Sequence, residues 1–279
     1  MGSRAPSAEA AEEIPVCRFC GVPLSTADSH EELTQLLQRH GVLRSAAAAE
    51  AYAAVDRADF VPEGADAYLD AAAVMGSTGA QVSAPHVHAA ALELVEEKVS
   101  GIEEPLRILD LGSGSGCMAA MLANLARGRG RVLGLEHIQE LADESVVNVA
   151  KNHKDLLTDG TLDLRCQDAR TLQEEGGFHV VHCGAALSGP EPWLLELLRP
   201  GGRAVAPIGA TDAPQWLSSI DLPTDGGSAV VNRHLRVLYV PMTSEEDQRA
   251  RGAAWEEVVA RCVRNSAHLP PLAVPKLPE

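Results

Sequence analysis

The chain has 279 residues, 46% of them apolar, which is enough to bury one large core with short extensions. Its 39 acidic residues against 23 basic ones give a formal charge of −16 and argue against a protein that wraps a phosphate backbone, so no nucleic acid is expected as a partner. The six cysteines are scattered apart from one pair, and no apolar run has the length of a signal sequence or a membrane span, so the expectation is a reduced, cytoplasmic protein without a membrane partner. A monomer is expected.

Residues 1–28 are rich in Ala, Glu, Ser and Pro without periodicity and are predicted as a mobile tail. Cys17-Arg18-Phe19-Cys20 lies inside it. A zinc site would want two more ligands, and the only nearby candidate, His30, leaves the set one short, so the pair reads as incidental and no metal is expected. Ser29 to Glu32 is a capping box opening a helix with Leu33, Leu36 and Leu37 on one face and an end at Gly41. An Ala-rich helix runs from about Ser45 to Val55, and the pair is predicted to form a helical layer over one end of a sheet. Next comes the glycine-containing loop Gly76 to His88, in which Pro85 suits the first turn of a helix and Ser83 or Ala84 its cap.

Ile108 to Leu111 is a short apolar run of the buried parallel-strand type, and Gly112, Gly114 and Gly116 then turn the chain into the helix Cys117 to Ala126. The spacing G-x-G-x-G with Asp110 just ahead differs from the dinucleotide pattern G-x-G-x-x-G and favours S-adenosylmethionine over NAD. A helix N-terminus and bare backbone N–H groups can hold that ligand's carboxylate, and Asp110 suits its amino group and sulfonium. A second strand, Arg131 to Leu135, ends in Glu136, 20 residues after Gly116, where an acid can accept from ribose hydroxyls. Ile138, Leu141, Ala142, Ser145, Val146 and Val149 mark the next helix face. Leu162 to Arg165, Phe178 to His182 and Arg203 to Pro207 read as further strands, with a short helix over Glu191 to Leu198. Residues 215–222 and 234–240 read as two more strands joined by the Gly226-Gly227 turn. Ser244 to Asp247 caps a last helix carrying Trp255, Val258, Val259, Cys262 and Val263, before a proline-rich end.

From Val82-Ser83-Ala84-Pro85-His86-Val87-His88 onward the sequence resembles the protein-L-isoaspartate O-methyltransferases, whose loop reads close to T-I-S-A-P-H-M-H. Ile108 to Gly116 is similar to the family's L-D-V-G-S-G-S-G, and Leu135-Glu136-His137-Ile138 with Glu140-Leu141 to its I-D-H-I-x-E-L. Asp168 and Arg170 match G-D-G-R, His182 to Ala186 matches H-V-G-A-A, and Leu198 to Arg203 matches L-K-P-G-G-R. Tyr239-Val240-Pro241-Met242-Thr243, with Gln248 beyond, resembles Y-V-P-L-T and the Gln that follows. The resemblance spans about residues 29 to 250.

The resemblance implies a Rossmann-like class I S-adenosylmethionine-dependent methyltransferase: an α/β fold with a mostly parallel seven-stranded sheet, helices on both faces and the N-terminal helical layer. It implies methylation of the α-carboxyl of L-isoaspartyl residues in damaged proteins and peptides, leaving S-adenosylhomocysteine and an ester that cyclises to a succinimide. By the resemblance Ser83 is the active-site hydroxyl, and Ala80, Gln81, Val82, Ser83 and His88 lie against the cofactor. Leu111, Gly112, Ser113, Gly114 and Ser115, with Asp110, would hold its methionine part. Glu136 would take the ribose with His137 beside it, Asp168 and Ala169 the adenine region, and Thr243 and Gln248 would close the site. The domain so implied covers residues 29–250, with 1–28 as a tail and 251–279 as an appended helix and proline-rich end.

Three positions depart from the family pattern: Gln81 stands for the loop Thr, and Gln167 and Ala169 flank Asp168 where glycines are usual. The longer side chain at 81 could crowd the ligands, and the lost glycines could alter the backbone path. A cofactor-binding adaptor of the same fold with impaired catalysis is the other reading. Chemically the enzyme reading is undemanding, because a carboxylate of pKa about 4 is already ionised near neutral pH and needs positioning rather than a strong base.

Overall fold

The computed structural model describes residues 17, 20–22, 26–210, 213–225 and 227–253. The expected helix around Trp255 to Val263, and most of the expected N-terminal tail, lie outside the described residues.

In α1 (His30–Arg39) the Ser29 hydroxyl accepts from the Glu32 N–H at 3.2 Å, while the Glu32 carboxylate accepts from the Asp28 N–H at 2.9 Å. The return half of the capping box therefore lands one residue earlier than the Ser29 N–H. In α2 (Ala46–Ala53) Ser45 accepts from the Ala48 N–H at 3.1 Å. α1 packs on α2, and α2 packs on α3 (Pro85–Val99) and α4 (Cys117–Ala126). The N-terminal layer thus rests on the helices that cover the sheet rather than on the sheet's end, because the small side chains of α2 admit a close helix–helix approach.

The short hairpin β1 (Ala73–Met75) and β2 (Ala80–Val82) leads into α3. The central sheet has the order β5-β4-β3-β6-β7-β8-β9. Its strands are β3 (Leu106–Leu111), β4 (Gly130–Glu136), β5 (Leu162–Cys166), β6 (Phe178–Cys183), β7 (Leu198–Ile208), β8 (Gln215–Asp221) and β9 (Val230–Val237). The first five in spatial order run parallel, and β8 runs against both neighbours. Alternation along the strands divides the core in two. Ile108, Val132, Val180 and Val205 face the layer containing α3, α4 and α5 (Gln139–Asn152) with α6 (Lys154–Thr158), and Leu109, Leu133, Val181 and Ala204 face α7 (Pro192–Glu196).

Two strand boundaries and one helix face differ from the sequence reading. β9 begins four residues before the expected 234–240, since pairing with β8 resumes at Asp221↔Val230 directly after the turn and does not depend on burial of Val230 and Val231, which are exposed. β7 extends back through Arg199-Pro200-Gly201-Gly202 to Leu198, with an irregularity opposite Phe178 and Val180. Val146, assigned to the buried face of α5, is 40% exposed, and Asn148 is buried in its place.

From β3 the chain moves through α4 and α5 to β4 and β5, then crosses back to place β6 on the other side of β3. The order reverses between β3 and β6, and in such sheets the ligand crevice opens beyond the carboxyl ends of those strands.

Candidate active site

The crevice is floored by the glycine loop. Gly112, Gly114 and Gly116 take φ of 69°, 50° and 85°, a left-handed path that a side chain would strain. The turn leaves the N-terminus of α4 pointing at the crevice. Asp110 and His182 are register partners on β3 and β6, and the parallel pairing brings His182 Nδ1 to 2.6 Å from Asp110 Oδ1. Among the described residues the other carboxylate oxygen, Asp110 Oδ2, and the other ring nitrogen, His182 Nε2, are buried without a hydrogen-bond partner. A buried acceptor left open at the mouth of a cavity is a place for a cationic or donor group of a ligand.

At the end of β4 the Glu136 carboxylate accepts from three backbone N–H groups: Gly114 at 3.1 Å, His137 at 2.8 Å and Ile138 at 3.1 Å. Burial raises its pKa, and the Ile138 N–H and the nearby His137 ring work in the opposite direction. Glu136 therefore ties the glycine loop to the start of α5. Across the crevice, Asp168 is gripped by Arg170 at 2.6 Å and caps the 3₁₀ turn Ala169–Thr171. No non-glycine residue among those described has a positive φ, so the backbone at Gln167 and Ala169 follows a path that needs no glycine.

Ser83 sits between β2 and α3. Ala84 occupies the cap position of α3, and the side-chain bond to its first turn comes from Asp70, which accepts from the His86 N–H at 3.0 Å, so the Ser83 hydroxyl is not a helix cap. Its carbonyl is held instead by Arg57, a buried residue that donates to Ser83 O at 2.7 Å and to Ala71 O at 3.0 Å. Facing Ser83 is Tyr239, whose phenol is pushed up to about 12 by burial while the neighbouring Ser83 hydroxyl draws it back. The Tyr239 hydroxyl has no geometrically satisfactory hydrogen-bond partner among the described residues and is free to donate to a ligand. The strand-like segment carrying it is fixed by Gln215, which accepts from the Tyr239 N–H at 2.9 Å, and by two bonds of 2.8 Å between Ala186 and the Val240 carbonyl and Met242 N–H.

Residues 245–253 form a helix over the crevice. Gln248 Oε1 lies 2.7 Å from His137 Nε2, and Arg249 bonds Glu140 at 2.7 Å. Gly252 packs so closely on the Ser77 carbonyl that a Cβ there would fall 1.8 Å from it, so this helix spans the crevice from α5 to the turn before β2.

Three cavities adjoin. The first, about 650 Å³, is lined by Ala80, Gly112, Glu136, His137, Asp168 and Ala169 on one side and Thr243 and Gln248 on the other. A deeper one of about 340 Å³ touches Val82, Ser83, His88, Asp110, Ser113 and Ser115. The third, about 1180 Å³, carries Ser83, His86, Arg236 and Tyr239. Gln81 and Gly184 line all three, so Gln81 stands at their junction. Of the expected site residues Leu111 alone lines none; its side chain is in the core, and its carbonyl accepts from the Gly184 N–H at 2.7 Å. The sequence reading assigned no role to Tyr239, Arg57, His182 or Gly184. Tyr239, His182 and Gly184 lie inside quoted motifs, whereas nothing local marks Arg57.

His88 is buried, and desolvation first, then Arg57 and His182, hold its imidazole well below its ordinary value of 6.5. Burial also lowers His30. Each takes up its proton at a lower pH when folded than when unfolded, so stability falls as pH drops through about 6.5, by at most about 1.4 kcal/mol per pH unit for each. Urea unfolding at pH 7.5 and 5.5 checks this. Glu136, raised by burial, opposes the trend, so a His88→Gln variant is compared to isolate the histidine, and an unchanged slope in it would contradict the assignment.

Residues 28–247 match the family described as protein-L-isoaspartate(D-aspartate) O-methyltransferase (PCMT). Protein-L-isoaspartate O-methyltransferase 2 of Arabidopsis thaliana is 40% identical over 219 residues, covering 77% of this chain and 68% of the relative. The Triticum aestivum protein-L-isoaspartate O-methyltransferase is 38% identical over 224 residues, covering 79% and 94%. Among solved structures, a Plasmodium falciparum protein described as a protein-L-isoaspartate O-methyltransferase, in complex with S-adenosyl-L-homocysteine, superposes with TM-score 0.69 at 26% identity over 78% of this chain and 99% of that one. The matched span contains the glycine loop, Ser83 and the segment around Tyr239, and the chain belongs to the protein-L-isoaspartate(D-aspartate) O-methyltransferase family.

Proposed function

We propose that this protein transfers a methyl group from S-adenosylmethionine to the α-carboxylate of L-isoaspartyl residues in damaged proteins and peptides. The observation that carries the reading is the junction of the three cavities at Gln81 and Gly184, which lets a ligand on the glycine loop meet a second ligand at Ser83. The chain's residues fit the cofactor: the left-handed glycines clear a path for it, and Asp110 Oδ2 is an unanswered buried carboxylate oxygen. When bound, the cofactor supplies an electrophilic methyl group on a sulfonium.

The α4 N-terminus with Gly112 to Ser115 holds its carboxylate, and Asp110 its amino group. Glu136 accepts from the ribose, Asp168 and Ala169 border the base, and Thr243 and Gln248 close over it. Ser83 and Tyr239 donate to the substrate carboxylate, orienting one oxygen without neutralising it, while Arg236 places positive charge at the mouth of that cavity. The segment 239–243 and the helix over the crevice exclude water. The catalytic unit is taken as residues 29–250, acting as a cytoplasmic monomer; among the described residues no helix is long and apolar enough to cross a membrane.

S-adenosylhomocysteine is expected to raise the melting temperature and NAD to leave it unchanged, since only a ligand that binds the native state stabilises it, by about 2.7 kcal/mol at a hundredfold excess over Kd. Equal shifts, or none, would contradict the assignment of the crevice.

A further inference from the structure

The Cys17–Cys20 pair does not approach His30, whose Nε2 lies 3.0 Å from the Tyr52 carbonyl. It lies instead against His86, 66 residues from Cys20, with Cys20 Sγ 3.7 Å from His86 Nε2 and the three ligand atoms all within 4.8 Å of one another. Neither thiol is in a disulfide. Among the described residues the Gly21 N–H donates to the Cys17 carbonyl at 2.7 Å, the Cys17 N–H donates to the Val22 carbonyl at 2.8 Å, and Gly21 takes φ 73°. Glycine directly after the second cysteine lets the chain fold back, so both sulfurs share one side.

His86 is prepared for the same point. Asp70 Oδ1 accepts from the His86 backbone N–H at 3.0 Å and stands 2.8 Å from His86 Nδ1. An acceptor-only carboxylate there fixes the proton on Nδ1 and leaves the Nε2 lone pair directed at the thiols. This carboxylate–imidazole arrangement is the one that orients histidine ligands of metal ions.

We propose that Cys17, Cys20 and His86 bind a zinc-class divalent cation, with Asp70 as the residue that positions His86. Zinc bound at about 2.3 Å to sulfur and about 2.05 Å to nitrogen in a tetrahedron sets S and N about 3.6 Å apart, which the cleft already approaches. Two thiolates and an imidazole select zinc or cobalt over calcium and magnesium. Each thiol releases its proton to solvent on binding, and water takes the fourth position. The ion would fasten Cys17 and Cys20 to the first turn of α3, three residues from Ser83; Cys17 lines the same cavity as Ser83 and Tyr239. The proposal is independent of the methyl-transfer reading.

The test uses the full chain without a histidine tag, purified under reducing conditions, equilibrated with zinc, freed of loose metal and analysed by mass spectrometry of the elements. One zinc per chain is expected in the wild type and in Cys166→Ser, which removes an exposed cysteine. Less than about a tenth is expected in Cys17→Ser/Cys20→Ser, whose folding is checked by circular dichroism. Cobalt loading should give the visible absorption of tetrahedral thiolate coordination, lost in the same double variant. Asp70→Ala should weaken zinc about 10- to 100-fold in competition with a chelator. A wild type that retains no zinc, a double variant that retains all of it, or a Cys17–Cys20 disulfide persisting in reducing buffer would overturn the proposal.

Discussion

Ser83→Ala is expected to slow methyl transfer by about one to three powers of ten while leaving cofactor affinity nearly intact. The carboxylate nucleophile keeps its charge in the variant and loses one of the two hydroxyl donors that aim it. The fold makes this clean to read. Because Ala84 takes the cap position of α3 and Ser83 is tied to Arg57 only through its carbonyl, removal of the hydroxyl should change stability by no more than about 0.5 kcal/mol. Initial rates on an isoaspartyl peptide and a melting curve on the same preparation check both halves. Normal turnover with lowered stability would return Ser83 to a structural role.

The second large effect concerns Glu136. Alanine there is expected to reduce cofactor affinity about 10- to 100-fold and stability by about 2–4 kcal/mol, since the carboxylate serves three backbone N–H groups that would be left short of an acceptor. The loss is below a simple sum over three bonds, because burial already penalises this charge and raises its pKa. Glu136→Gln should fall between, keeping an acceptor but losing the charge. Calorimetric titration with S-adenosylhomocysteine and urea unfolding check these orders, and unchanged affinity in the alanine variant would show that Glu136 holds the loop and nothing more.

The parallel half of the sheet was legible because its strands are short apolar runs between recognisable turns, and the glycine spacing placed the crevice. The antiparallel edge was less so: β9 exposes Val230 to Arg233 and pairs through its backbone, which leaves no periodic pattern to read. Local motifs likewise located Asp110, Ser83 and Glu136 but not their partners. Asp110 finds His182 across 72 residues through strand register, and Arg57 reaches Ser83 from a separate short turn, so both depend on tertiary placement. The Cys17–Cys20 pair is hard to read for the same reason, since the histidine it meets is distant in sequence. The departures at Gln167 and Ala169 are compatible with the backbone, while Gln81 is the one departure that lines all three cavities.

The most direct measurement is methyl transfer itself. Incubated with labelled S-adenosylmethionine and two peptides that differ only in isoaspartate or aspartate at one position, the protein is expected to form a base-labile methyl ester on the first and none on the second. No label on any isoaspartyl peptide, in a preparation that still binds S-adenosylhomocysteine, would contradict the account and leave a cofactor-binding protein without this activity.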